Sequence, residues 1–145
     1  MPEFRNIPGI NIQWPWSELI LSGKKTVETR SYPIPDKHLG VPLAVIETPG
    51  PNRRSAGFTK ARMAGVIVFD KSFQYLDYDS WHRDFDRHLV YSKDPLYGFD
   101  EKKQKWGWRI SSVLKFHHHL AAPEKKGIVF ARECRVPSDS VSPSY

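Results

Sequence analysis

The chain is short of several things, and each shortage removes a class of protein. It has one cysteine, Cys134, in 145 residues. No internal disulfide can form, and this agrees with a protein of the reducing cytoplasm. No apolar run approaches the ~20 residues that cross a bilayer as a helix, so no membrane association is expected. The opening residues MPEFRNIPGI lack the basic-then-apolar pattern of a secretory leader. The nine glycines are dispersed, with no phosphate-cradling loop among them. No serine stands in a nucleophile-elbow pattern, and there is no internal repeat.

Charged residues make up 26% of the chain and apolar ones 39%, a balance that fits one ordinary domain with a real core. The domain is expected over residues 1–136. Residues 137–145 hold four serines, two prolines and no apolar cluster, and are expected to be a disordered tail. The net charge is +6, which favours a polyanionic partner, nucleic acid first.

The stretch Gln13–Pro35 organises the chain. Pro15 suits the start of a helix. Trp16, Leu19 and Ile20 fall at i, i+3 and i+4, one buried face. Ser22-Gly23 supplies a left-handed stop. The polar strand that follows holds Lys25, Glu28 and Arg30, with Glu28 and Arg30 on one face and Val27 and Thr29 on the other. Further strands are predicted at 10–13, at Val41–Thr48, at Ala64–Asp70, at Arg109–Phe116 and at Gly127–Val136. A second helix is predicted from Asp79 to about Tyr91, with Trp81, Phe85 and Leu89 on one face. Five or six short strands and two or more helices, not alternating regularly, predict an α+β fold: a small β-barrel with helices at its rim.

The run PWSELILSGKKTVETRSY resembles the signature of ASCH domains, a branch of the PUA-like superfamily. That signature reads Pro-aromatic, an apolar helix, then G-x-K-x-x-E-x-R, and Pro15, Trp16, Gly23, Lys25, Glu28 and Arg30 meet it. The resemblance implies a PUA-like barrel with a cleft beside the first helix and a partner that is RNA or a modified nucleoside. A cytoplasmic location and no cofactor are expected. Some ASCH-like proteins are similar to small hydrolases of acetylated cytidine that use a lysine, a threonine nucleophile and a glutamate. Their threonine slot, two residues before the arginine, is Glu28 here.

From the residues, two functions follow. In the first, Lys25, Glu28 and Arg30 hold a base, the cations on a carbonyl or anionic group and the glutamate on an amino group. Trp16, Tyr32 and Trp108 are the aromatic candidates for stacking, and Arg53, Arg54, Lys60 and Arg62, in an acid-free loop, are the candidates for phosphate contact. In the second, a nucleoside or RNA hydrolase, Lys25 or Glu28 is the general base and Arg30 steadies developing negative charge. The bland alternative for the three charges is a structural ion-pair cluster. No metal site is expected. In His82–His88 and His117–His119 the histidines and carboxylates are not placed as a ligand set.

Overall fold

The computed structural model describes residues 3–51, 53–123 and 128–141. Six strands, β1 (Phe4–Gln13), β2 (Val27–Arg30), β3 (Leu43–Thr48), β4 (Arg62–Tyr75), β5 (Lys105–Ala121) and β6 (Phe130–Pro137), form one mixed sheet in the order β2-β5-β4-β3-β1-β6. Only β1 and β3 run parallel, and every other pairing is antiparallel. The helices are short: α1 (Trp16–Leu21), α2 (Arg53–Ala56), α3 (Tyr78–Arg83) and α4 (Phe85–His88).

The six strands and the α+β class agree with the sequence, but the expected barrel is absent. The sheet is open, with β2 and β6 as its edges and no ladder joining them among the described residues. It is nevertheless strongly curled. In sheet order β2 and β1 lie four steps apart, about 19 Å in a flat sheet. Yet the Arg30 guanidinium on β2 donates to the Asn11 carbonyl on β1 at 3.1 Å. Where closure would need backbone pairing, a side chain spans the gap. β2 is only four residues long and all four pair with β5, which leaves little strand to build a second ladder.

The nearly continuous apolar run of β3 has a simple cause. Leu43 and Val45 enter one core cluster, with Ile10, Ile12, Ile20, Ile67, Phe69 and Trp108. Ala44 and Ile46 enter another, with Ile7, Met63, Val66 and Cys134. The strand is buried on both faces, so alternation disappears. Helix α1 stops as expected, with Gly23 at φ +84°. Gly65 lets that helix lie close to the sheet, because a Cβ there would fall 2.7 Å from Leu21 Cδ2 and 2.4 Å from the Leu114 carbonyl oxygen.

The second predicted helix is two. Asp77, not Asp79, caps α3 by accepting from the Ser80 N–H at 2.7 Å. At Asp84 the chain leaves helical geometry, and the carboxylate is held by the Tyr75 hydroxyl and by Arg87. At the start of the expected tail, β6 runs to Pro137, a short 3-10 turn covers Ser138–Ser140, and the Ser138 N–H bonds the Glu3 carbonyl at 2.9 Å. Its remainder, 142–145, lies outside the described residues.

His88 closes α4 against the body of the fold. Its Nε2–H donates to the Trp81 carbonyl at 2.7 Å, and its Nδ1 accepts from the Val90 N–H at 3.0 Å. This pairing requires the neutral ring, because a proton on Nδ1 would face the Val90 donor. Burial, the largest cause, lowers the imidazole pKa below its ordinary 6.5. The unfolded chain therefore binds the extra proton first as pH falls through 6.5, and folding stability declines over the window below that value. Melting followed from pH 7.5 to 5 will show this loss. In His88→Gln, stability at pH 7.5 falls by about 1–3 kcal/mol and the slope over the acid window is shallower. The same slope in both proteins would show that the titrating group lies elsewhere.

Candidate functional site

The stop at Gly23 delivers Lys25 to the seam between α1, β2 and α4. Its backbone N–H bonds the Leu19 carbonyl at 3.0 Å, and the next N–H, of Thr26, bonds the Arg87 carbonyl at 2.9 Å. The Lys25 side chain is 1% exposed. Its ammonium donates to the His88 carbonyl, lies 3.7 Å from Glu28 Oε1 and stands 4.9 Å over the Trp16 ring. Burial drives its pKa below the usual lysine value, and Glu28 pulls against that shift.

Glu28 and Arg30 share a face of β2, as the alternation predicts. Arg30 Nη2 lies 3.2 Å from Glu28 Oε2, and Oε1 accepts from the Thr29 N–H at 3.2 Å. Arg30 lies 5.5 Å over the Trp108 ring. Beyond Asn11 and Glu28, its N–H groups have no hydrogen-bond partner among the described residues. Two cations thus flank one carboxylate.

Lys25 and Glu28 are buried, and Arg30 is the partly exposed member of the three. They line a cleft of about 600 Å³ together with Asn11, Gln13, Trp16, Thr29 and the segment Asp94–Lys105. The far wall is tied across the cleft. The Tyr97 hydroxyl donates to Gln13 Oε1 at 2.9 Å, its ring meets Trp16 edge-on at 5.8 Å, and Lys105 donates to the Tyr97 carbonyl at 3.0 Å. Asp94 caps this turn through the N–H groups of Leu96 and Tyr97. Burial raises the Tyr97 pKa and lowers that of Lys105.

Of the aromatic candidates only Trp16 lines the cleft. Trp108 is 0% exposed, and its indole N–H donates to the Tyr32 carbonyl at 2.9 Å. It is core beneath Arg30, with no free face for a base. Tyr32 is 36% exposed, sits edge-on to Trp108 at 5.6 Å and is not part of the cleft wall. Of the predicted basic loop, Arg53 and Arg54 lie on α2, and they and Lys60 are exposed. Arg62 belongs to β4, bonds Glu47 at 2.9 Å and lies 3.8 Å over Phe58, so it is committed within the fold. Among the described residues no three His, Cys, Asp or Glu side chains gather as a metal site.

Gln13, Tyr97, Lys105 and Glu47 complete the site and its supports, and the sequence motifs do not include them. Gln13 had a signal, since it is a polar position in an alternating strand. Glu47 also had one: an acid inside an apolar run. It is buried, and accepts from the Ser17 hydroxyl at 2.7 Å as well as from Arg62, which ties α1 to β3 and β4. Tyr97 and Lys105 lie in a segment with no periodicity, and nothing local marks them.

The charge arrangement predicts an order of stabilities. Glu28→Gln leaves Lys25 and Arg30 facing each other without a counter-charge and costs about 3 kcal/mol. Lys25→Met removes the buried cation, keeps the Glu28–Arg30 pair and costs less. Urea unfolding of the two variants checks the ranking, and the reverse order would mean that the His88 contact outweighs the ion pairs.

Neither a protein-family model nor a curated protein sequence matches the chain. Among solved structures, it is similar to the ASCH protein of Zymomonas mobilis: TM-score 0.56 at 18% identity, over 74% of this chain and 68% of that one. A serine-to-alanine mutant of that ZmASCH protein aligns with TM-score 0.62 at 16% identity, over 91% of this chain and 90% of the other. A tyrosine-to-phenylalanine mutant aligns with TM-score 0.55 at 19% identity, over 77% and 73%. The fold of this chain is therefore that of the ASCH domain, as the signature from Pro15 to Arg30 implies.

Proposed function

We propose that this protein is a cytoplasmic binder of RNA or of a modified nucleobase, and that the base enters the cleft of Lys25, Glu28 and Arg30. The observation that carries this reading is the cleft itself: about 600 Å³, with two cations, a carboxylate and Trp16 in its wall. A base needs both donors and acceptors around its edge. Glu28 accepts from an exocyclic amino group, and the N–H groups of Arg30 that have no partner among the described residues donate to a carbonyl. Trp16 and Tyr97 supply aromatic surface, worth roughly 1–3 kcal/mol per stacked base. The exposed Arg53, Arg54 and Lys60 supply phosphate contacts, and the net charge of +6 favours approach of a polyanion.

Lys25 supports a second reading. A buried lysine with a lowered pKa, 3.7 Å from a carboxylate in a cleft, has the character of a general base. In a hydrolase of acylated nucleosides Lys25 would take a proton from the attacking group and Arg30 would hold the oxyanion. Glu28 fills the slot of the threonine nucleophile, so attack would fall to water.

Two measurements decide. Fluorescence anisotropy with a single-stranded RNA oligonucleotide at several salt concentrations gives affinity and salt slope. Arg30→Met weakens binding about tenfold or more. Neutralising Arg53, Arg54 and Lys60 together lowers the log–log slope by about 2. No affinity at low salt would end the binding reading. Incubation with acylated cytidine, followed for released acid, tests the second: turnover that disappears in Lys25→Met would make the protein an enzyme.

A further inference from the structure

The sheet carries a second open feature, away from the cleft. β4 pairs β5 along its whole length, from Tyr75 opposite Lys105 to Arg62 opposite Ala121. On the other side of β5, β2 covers only Trp106–Arg109, and the Ile110 N–H is taken by the Thr26 carbonyl at 2.9 Å. Past that point no strand lies beside β5 among the described residues. Ser111, Ser112, Val113, Leu114 and Lys115 are all exposed, with Val113 at 38% and Leu114 at 39%. In an antiparallel ladder alternate residues turn their N–H and C=O groups outward. Here no strand takes those groups among the described residues.

Open edges are usually guarded by proline, inward charge or brevity. This one has no proline between Lys105 and Ala121, and Lys115 is the single charge in Ser111–Lys115. Its charge is also of one sign. From Ser111 to Ala121 there is no carboxylate and Lys115 is the one full charge, since Arg109, before it, is paired with Asp70 at 2.8 Å.

We infer that the Ser111–Lys115 edge of β5 is a docking site for an extended acidic peptide segment of a partner protein, which adds as an antiparallel strand beyond β2. Backbone pairing supplies affinity and the one-signed edge selects an acidic partner. A phosphate backbone is a poorer fit, because phosphates offer acceptors only and leave the outward carbonyls unserved. A second copy of β5 is also a poorer fit, since it carries no carboxylate to meet Lys115.

The test uses the full isotope-labelled chain and an N-acetylated, C-amidated eight-residue peptide alternating valine and glutamate. Binding moves the amide resonances of Ser111–Lys115 and slows their hydrogen exchange. Of two peptides N-methylated on alternate amides, one loses about tenfold or more in affinity. Lys115→Glu, a change at an exposed position, weakens the parent peptide about fivefold. The proposal is overturned if a valine–lysine peptide binds as well, or if the resonance changes centre on Lys25–Arg30. It is equally overturned if a uridylate oligonucleotide displaces the peptide from these amides, or if the amides are already protected in a concentration-dependent way by self-association.

Discussion

The structure depends on a buried ammonium. Lys25 sits where a helix end, a strand start and the turn after α4 converge, and its charge has almost no water. It is retained because a backbone carbonyl, a carboxylate and an indole face each take a share of it. None of these alone would offset the cost of desolvating a lysine. Together they lock α4 to β2, and His88 extends the lock through both nitrogens of its ring.

The same arrangement forms part of the cleft wall. Lys25 is held by His88, Trp16 and Glu28, and Glu28 in turn holds Arg30. Arg30 is central to both roles. One of its nitrogens bridges β2 to the Asn11 carbonyl and holds the curl of an open sheet. The rest of the guanidinium retains donors beside a cavity. The cluster is thus an ion-pair network and a cleft wall at once, and these two roles of the three charges are compatible.

Elements set by local chemistry were legible in the chain. The stop at Gly23, the shared face of Glu28 and Arg30, and the apolar run of β3 each follow from a short stretch and one physical rule. Elements set by distant partners were not. Trp108 fills the core instead of stacking on a ligand, and a tryptophan after a glycine looks the same in sequence in either role. Arg62 looks like a loop cation in sequence because the acid that takes it, Glu47, is fifteen positions away. The far wall, Asp94–Lys105, has no periodicity, and its position follows from contacts to Gln13 and Trp16 across the cleft.

What the sequence determined by itself is the signature segment, Pro15 to Arg30, and through it the helix, the turn, the strand and the three charges on them. Spacing in a helix or strand is enough to say which side chains share a face. Tertiary structure alone decided that the sheet curls without closing, because closure depends on whether two edges meet over enough residues, and β2 is too short for that. It also decided that a cleft of about 600 Å³ stands beside the charges, since a cavity belongs to the space between segments and is written in none of them.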